Sequence, residues 1–342
     1  MHTHLTSAAI YHMNYLQAVV IGLVQGLFEL FPLSSLGHTV LVPSWIGGTW
    51  ATLVRQESEP ESPYLAFVVG LHLANAVALL VFYLREWARV ISAFFHTLWT
   101  RRIESDRERL AWLIVVATVP VGILGLAFEH EFRVLFAKPV AAAAFLVCNG
   151  AILLLGEWWR RRGGVGPRQG TAVSVTEGPR QRTEGVPFAS SGARGAVASF
   201  RGEHMVAIDE AAEHQLAGIG LASALWIGAS QALALLAGIS REGVAMVGGL
   251  SRGLSNENAM RFAFLLSTPV IFAAGALKVP DLTGALGDGV RGQVVAGSVA
   301  AVAMSIVALA FMTRWMKTRT LKPFAVYSLL FGLASLVRFG IF

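Results

Sequence analysis

The chain has 342 residues, of which 55% are hydrophobic and 14% are charged. A soluble domain carries about 25% charged residues, so this composition excludes an ordinary soluble fold and indicates a protein that spans a membrane. The formal net charge is +6. The basic residues lie in short loops between apolar windows, a distribution that sets the orientation of a protein in the membrane and excludes a role in binding nucleic acid.

Apolar windows in chain order predict an all-α integral membrane protein with six transmembrane helices and two re-entrant helical hairpins. In the first membrane repeat, residues 1–157, the hairpin and three helices are expected at 15–50, 63–84, 110–128 and 139–157. A polar segment follows, and we interpret residues 158–214 as a disordered cytoplasmic linker. In the second repeat, residues 215–342, the hairpin and helices are expected at 215–254, 259–277, 292–313 and 323–342.

The distribution of Lys and Arg predicts the orientation of these elements. Thirteen of them lie at 85–109, 160–162 and 314–322, whereas the opposite loops, at 49–62, 129–138 and 278–291, hold five. By the positive-inside rule the first group is cytoplasmic. This count is consistent only if the two hairpins each enter the membrane and return on the same side.

The two hairpins show a local internal repeat. Residues 21–38 and 227–244 are identical at seven of eighteen positions, at an offset of 206 residues. The shared positions include Gln25, Ser34 and Gly37, which are not interchangeable aliphatic residues. With the expected topology the two copies are inverted relative to each other, so their broken helices would meet near the middle of the membrane.

Polar and ionisable residues at membrane depth cluster in this repeat. Such residues are costly in a bilayer and indicate function. The first copy contributes Gln25, Glu29, Ser34, Ser35 and His38, and the second contributes Ser240, Arg241 and Glu242.

These residue types suit a phosphate and a metal ion. An arginine such as Arg241 can form bidentate hydrogen bonds to phosphoryl oxygens, and the three serines can add neutral donors. Gln25 and Glu29 lie four residues apart on one helix face and offer hard oxygen ligands for Mg²⁺ or Ca²⁺. His38 has the ordinary pKa best suited to proton transfer near neutral pH.

A purely structural network explains the same residues equally well. In that alternative Arg241 pairs with Glu29 or Glu242, and the serines bond to backbone carbonyls. His72 and Asn75 share one stripe of the helix at 63–84, where they either line the site or join neighbouring helices.

Two motifs resemble the signatures of the undecaprenyl-diphosphate phosphatase, or bacitracin-resistance, family. Residues 25–38, Gln-Gly-Leu-Phe-Glu-Leu-Phe-Pro-Leu-Ser-Ser-Leu-Gly-His, are similar to the first signature: Glu or Gln, three residues, Glu, then Pro-x-Ser-Ser and His. Residues 237–245, Ala-Gly-Ile-Ser-Arg-Glu-Gly-Val-Ala, are similar to the second, Pro-Gly-x-Ser-Arg-Ser-x-x-Thr. The resemblance extends over nearly the whole chain except the amino terminus and the segment 160–214.

The resemblance implies a multi-pass enzyme of the bacterial plasma membrane. Such enzymes hydrolyse an isoprenyl diphosphate lipid, undecaprenyl diphosphate, at the external face and need a divalent cation. By position, Glu29 and Gln25 would bind the metal or activate water, and Ser34, Ser35, Ser240 and Arg241 would hold the diphosphate. His38 would be the nucleophile or the general acid/base. The partners expected are this lipid substrate and membrane lipids; whether the chain forms a homodimer stays open.

The second motif departs from the family pattern. Ala237 replaces the proline, Glu242 the second serine and Ala245 the threonine, and Leu36 stands where a small or hydroxyl residue is usual. Glu242 could repel the diphosphate, add a metal ligand or mark a changed substrate, so its role is left open. Two alternatives remain beside the phosphatase: a transporter of an isoprenyl phosphate or other amphiphilic anion, and a catalytically altered homologue.

Overall fold

A computed structural model of the chain describes residues 13–57, 63–136, 138–162, 210–277, 279–280, 284 and 289–341. These residues form helices joined by short turns, and no β-strand occurs among them. Most of the linker expected at 158–214 lies outside the described residues.

The helices before this segment are those of the first membrane repeat. They are α1 Tyr15–Leu30, α2 Ser35–Ile46, α3 Gly48–Glu57, α4 Pro63–Phe82, α5 Leu84–Thr100, α6 Asp106–Phe136 and α7 Pro139–Arg162. The helices after it are those of the second repeat. They are α8 Glu210–Ala217, α9 Leu221–Ser230, a 3₁₀ helix Gln231–Leu235, α10 Arg241–Ser251, α11 Asn256–Leu277, α12 Arg291–Thr318 and α13 Lys322–Gly340.

Several of these helices are long and apolar enough to cross a membrane. Within the described residues there are five: α7, α11, α12, α13 and the part of α6 at Asp106–Gly125. Two sharply bent pairs raise the number to seven if each pair is one span. They are α4 with α5, bent by 84°, and α8 with α9 and the 3₁₀ helix, bent by 87°. An all-helical protein with five to seven candidate spans confirms the fold class at this level.

Helix α5 lies where the sequence analysis placed a basic loop. It is strongly amphipathic: Trp87 and Val90 are buried, whereas Arg85 and Arg89 are exposed. The count of arginines correctly identified a polar segment, but the apolar residues between them recur at helical spacing. Such a helix can lie along a membrane surface with its apolar side facing inward, so a basic loop and a surface helix share the same composition.

Both edges of the expected linker are helical, which corrects its boundaries at 158 and 214. Helix α7 continues to Arg162, and α8 begins at Glu210. Helix α8 is attached to the start of α6, where Arg107 donates through Nε and Nη2 to the Glu213 carboxylate at 3.0–3.2 Å. We call this ion pair the α6–α8 clamp.

The first helix of each hairpin, α1 or α9, packs closely against a long helix from the other half of the chain. A Cβ atom on Gly22 of α1 would collide with the carbonyl oxygen of Gly297 in α12. In the same way, a Cβ atom on Gly228 of α9 would collide with the carbonyl oxygen of Ala117 in α6. Gly22 and Gly228 are equivalent positions of the internal repeat. Small residues that allow such close backbone approach are typical of helix pairs in membranes.

Both repeat segments fold back on themselves. The Gln17 side chain near the start of α1 donates to the Thr49 hydroxyl, just after α2, at 3.4 Å. In the second copy, the Arg252 guanidinium at the end of α10 lies 5.6 Å from the ring centre of Trp226 in α9. The first contact joins the start of α1 to the residues after α2, and the second joins the end of α10 to the middle of α9.

The breaks in the two hairpins contact each other. Ser34 is the N-cap of α2, and its hydroxyl oxygen accepts from Gly37 N at 3.2 Å and from Gly238 N in the other break at 3.1 Å. Ser34 has a φ of 68°, an unfavourable value for a residue with a side chain. Gly238 has a φ of 118°, and a Cβ atom there would collide with the Ala142 carbonyl oxygen. We call the contact between the two breaks the junction.

A single asparagine of α7 links both sides of the junction. Asn149 is fully buried, and its amide nitrogen donates to the carbonyl oxygen of Pro32 at 2.9 Å and to the Ser328 hydroxyl at 3.2 Å. Its amide oxygen accepts from Ser240 N at 3.0 Å. One side chain thus satisfies backbone groups of both breaks, which have no helical partners of their own.

We expect Asn149→Leu to destabilise the junction, because the Pro32 carbonyl and the Ser240 N–H would both lose a buried partner. An unsatisfied buried group costs about 1–3 kcal/mol. The apparent Tm of the purified protein in detergent should fall, whereas Cys148→Leu, at the exposed neighbouring position, should leave it nearly unchanged. Equal Tm values for the two variants would contradict the bridging role.

Candidate active site

A cluster of polar side chains surrounds the Glu29 carboxylate in α1. Gln25 lies one helical turn earlier, and its amide nitrogen donates to Glu29 Oε2 at 3.0 Å. The Ser35 hydroxyl donates to the same oxygen. His72 of α4 places Nε2 at 3.6 Å from Glu29 Oε2 and at 3.2 Å from the Gln25 amide nitrogen. The sequence-predicted pair Gln25 and Glu29 is therefore close together, and both residues are buried.

His38 is held in one orientation next to the junction. Its Nδ1 lies 2.7 Å from the Ser34 carbonyl oxygen, which can only accept, so Nδ1 carries the proton. In the neutral ring the Nε2 lone pair then accepts from the Tyr327 hydroxyl at 3.0 Å. Phe28 stacks on the imidazole with 3.6 Å between ring centres. The histidine thus directs its basic nitrogen towards Tyr327.

Arg241 and Glu242 begin α10, directly after the second break. Ser240 caps this helix by accepting from Gly243 N at 3.0 Å. Glu29 and Arg241 are both close enough for their charges to act on the buried Glu242 carboxyl group, which brings the two motifs into one electrostatic environment.

Several polar atoms of this environment are buried with no hydrogen-bond partner among the described residues. They are Arg241 Nη1, Glu242 Oε1, Gln25 Oε1 and both polar atoms of the Gln231 amide. In a folded protein such orphaned groups are uncommon and need an explanation. An unpaired donor on the second motif and unpaired acceptor oxygens on both motifs are groups that can bind an anion and a cation.

The serines serve two purposes in this geometry. Ser34 and Ser240 cap α2 and α10 by accepting from backbone N–H groups, and Ser35 donates to Glu29. The structural alternative expected bonds to backbone carbonyls, and Ser240 makes one, donating to the Phe31 carbonyl oxygen at 3.4 Å. An accepting hydroxyl keeps its own hydrogen, so the Ser34 cap does not exclude donation to a phosphate. The N-termini of α2 and α10 both begin at the junction, where their free N–H groups favour negative charge.

Three residues of this region were not among the predicted site residues. The sequence could have identified Gln231, because it aligns with Gln25 in the internal repeat. Tyr327 lies within a segment that resembles the family, but nothing in that resemblance assigns it a contact with His38. Nothing in the sequence pointed to Asn149, because an isolated asparagine in an apolar helix does not indicate which backbone groups it contacts.

The residues present fit a divalent cation. No group of three or more His, Cys, Asp or Glu side chains gathers at one point in the described part of the chain. Hard cations, however, are also bound by amide and carboxylate oxygens. The unpaired Gln25 Oε1, on the side chain that donates to the Glu29 carboxylate, supplies an oxygen of this kind, and Glu242 Oε1 is a further unpaired oxygen.

Comparison with known proteins shows similarity over nearly the whole chain. An undecaprenyl-diphosphatase 2 of Frankia alni is 52% identical over 346 residues, covering 97% of this chain and 99% of that protein. An undecaprenyl-diphosphatase of Mycolicibacterium paratuberculosis is 50% identical, with 95% of this chain and 97% of that protein covered. An undecaprenyl-diphosphatase 1 of Frankia casuarinae is 45% identical, with 96% and 99% covered.

The family described as bacitracin resistance protein BacA matches residues 18–334. This match includes the junction and every residue of the cluster around Glu29. Together with the apolar helices, it makes the protein a multi-pass membrane protein. The chain belongs to the BacA bacitracin resistance family.

Proposed function

We propose that the protein hydrolyses undecaprenyl diphosphate to undecaprenyl phosphate and inorganic phosphate, and so returns the lipid carrier to cell-wall synthesis. Relatives that are half identical over nearly the whole chain carry the name undecaprenyl-diphosphatase. The observation that carries the proposal is the set of buried, unpaired polar atoms where the two motifs meet. A structural network in which every polar group is paired would not leave these atoms without partners.

The terminal phosphate binds at the junction in this proposal. Arg241 forms charge-assisted hydrogen bonds to the phosphoryl oxygens, and Nη1 is the donor already unpaired. Ser34, Ser35 and Ser240 lie at the starts of α2 and α10, where hydroxyl and backbone donors add to the positive end of each helix.

His38 supplies the reactive nitrogen. With Nδ1 held by the Ser34 carbonyl, Nε2 is the atom available for chemistry once the Tyr327 hydroxyl is displaced. Nε2 either attacks the terminal phosphorus or takes a proton from the attacking water. In both cases the bond from the terminal phosphorus to the bridging oxygen breaks, and undecaprenyl phosphate leaves. Where Nε2 is the nucleophile, water then cleaves the phosphorus–nitrogen bond, which releases inorganic phosphate and restores the imidazole.

Gln25 and Glu29 would hold a divalent cation, Mg²⁺ or Ca²⁺, and the unpaired Glu242 Oε1 is an oxygen that could add to this site. The cation, when bound, neutralises charge on the diphosphate oxygens. Glu29 is already oriented for this task by hydrogen bonds from Gln25 and Ser35.

We also propose that the two halves form an inverted repeat. The start of α12 lies beside the start of α1, where Gln293 donates to the Met13 carbonyl oxygen at 3.0 Å. The start of α6 lies beside α8 at the α6–α8 clamp. Each hairpin therefore begins next to the start of a long helix from the other half, α1 with α12 and α8 with α6.

The positive-inside rule then assigns the ends of these helices to the two faces of the membrane. The basic residues at 85–109 place the start of α6 in the cytoplasm, and those at 314–322 place the end of α12 there. The second hairpin then enters from the cytoplasm and the first from outside. In this arrangement the protein lies in the bacterial plasma membrane, and the substrate reaches the junction from the external face.

We expect Arg241→Lys to lower kcat/KM for undecaprenyl diphosphate at least about tenfold, because lysine keeps the charge but loses the planar pair of donors. The measurement is phosphate release by the purified protein in detergent with Mg²⁺ or Ca²⁺. Arg252→Lys, at an exposed position after the same helix, is the matched control and should retain full activity. Wild-type protein that moves the lipid across vesicles but releases no phosphate would instead support the transporter alternative.

Glu242→Ser should lower activity when the divalent cation is scarce, and added cation should restore much of it, because Glu242 Oε1 is a buried oxygen without a partner. Cation titrations of phosphate release measure this effect. Glu257→Ser, in the first turn of α11, serves as the control. A lower KM at every cation concentration would show that Glu242 competes with the diphosphate for Arg241. Unchanged constants would place Glu242 outside the site.

Single cysteines in a Cys148→Ala background test the topology. At Tyr15 and Ile46, the two ends of the first hairpin, cysteines should react with an impermeant reagent added to intact cells. At Leu221 and Arg252 they should react only after permeabilisation. All four positions are exposed in the structure. Labelling of Tyr15→Cys and Ile46→Cys from opposite sides would refute a re-entrant hairpin.

A further inference from the structure

A histidine outside both motifs completes the cluster around Glu29. His72 belongs to α4, and its Nε2 lies close to the two side chains to which the cation is assigned. The three separations are 3.0 Å from Gln25 Nε2 to Glu29 Oε2, 3.2 Å from Gln25 Nε2 to His72 Nε2, and 3.6 Å from His72 Nε2 to Glu29 Oε2. An amide, a carboxylate and an imidazole therefore converge on one point.

The hydrogen bonds of His72 fix its orientation. Its Nδ1 lies 3.0 Å from the Val68 carbonyl oxygen, one turn earlier in α4, and so donates its proton there. The Nε2 lone pair consequently points towards Gln25 and Glu29. A histidine that donates one ring N–H to a backbone carbonyl and presents the other nitrogen as a lone pair has the arrangement typical of metal-binding histidines.

The spacing of the three side chains also fits a shared cation. Donors at about 2.1 Å from one ion are separated by about 3.0 Å in octahedral and about 3.4 Å in tetrahedral geometry. The observed separations cover this range. A 180° rotation of the Gln25 side-chain amide would exchange the positions of its nitrogen and oxygen. The unpaired Oε1 would then point towards Glu29 and His72.

We propose that His72 is a third ligand of the cation site formed by Gln25 and Glu29, so that the site binds a first-row transition-metal dication more tightly than Mg²⁺ or Ca²⁺. Mg²⁺ and Ca²⁺ prefer oxygen ligands throughout, whereas an imidazole nitrogen favours transition metals. The inference rests on the proposed function only for the presence of a cation at Gln25 and Glu29.

A hydrogen bond between His72 and Gln25 that merely joins α4 to α1 is the competing explanation. It accounts for Gln25 Nε2, but it leaves Gln25 Oε1 buried without a partner among the described residues. A cation accounts for the amide oxygen, the carboxylate and the imidazole together.

The test uses Mn²⁺ binding to the full-length protein, purified in detergent and stripped with a chelator. Equilibrium dialysis gives the Mn²⁺ and Mg²⁺ affinities, and pulsed electron paramagnetic resonance detects nitrogen bound to Mn²⁺. We expect wild-type protein to bind Mn²⁺ at least about tenfold more tightly than Mg²⁺ and to show nitrogen coupling. His72→Gln should keep a hydrogen-bond acceptor for Gln25 but lose the coupling and about tenfold in Mn²⁺ affinity.

His96→Gln is the matched control, since His96 is largely exposed and pairs with Glu108 in a separate part of the fold. It should retain both the affinity and the nitrogen coupling. Wild-type protein that binds no Mn²⁺, or binds it without nitrogen coupling, overturns the inference, as does coupling that survives His72→Gln. Phosphate release with Mg²⁺ by that same protein would show that the phosphatase function holds without the His72 ligand.

Discussion

Backbone groups that lack a helical partner inside a bilayer must find one within the protein, and the architecture of this chain depends on that constraint. Two breaks interrupt the hairpins, and each satisfies the other. Ser34 accepts from Gly238, and Asn149 supplies a donor to one break and an acceptor to the other. Neither break would be stable alone at membrane depth. The two halves of the chain are therefore coupled at the place where their helices are interrupted.

The chemistry follows from the same coupling. Breaking a helix at the junction creates a helix N-terminus, and the junction brings two of them together with the cluster around Glu29. Residues that cap and bridge the breaks are satisfied, whereas Arg241 Nη1, Glu242 Oε1 and Gln25 Oε1 are not. This division separates the groups that hold the fold from those left for ligands. In the proposed function the serines both cap these helices and line the phosphate site.

The helical fold and most of the cluster were predictable from the sequence because they depend on local patterns. Apolar length gave the spans, and helical spacing placed Gln25 one turn before Glu29. Contacts set by packing between distant segments were not predictable: His72 against Gln25, Asn149 against both breaks and Tyr327 against His38 join residues 47 to 289 positions apart. Helix α5 was missed for a different reason, since its arginines resemble those of a loop. The pairing of Arg241 with Glu29 or Glu242, plausible by charge alone, is not among the ion pairs of the described residues, and Arg241 Nη1 has no hydrogen-bond partner there.

The α6–α8 clamp has a consequence for where members of the family can differ in length. Arg107 holds Glu213 just after the polar segment, and the Glu157–Arg160 pair closes α7 just before it. Ion pairs between described residues therefore hold the chain on both sides of residues 163–209. In general, lengthening the connection between two fixed points costs little, only about 0.6 kcal/mol for each doubling. Insertions and deletions there can accumulate without disturbing the helices on either side, which makes this stretch of the gene a place where evolution can add a module to an otherwise tightly packed membrane protein.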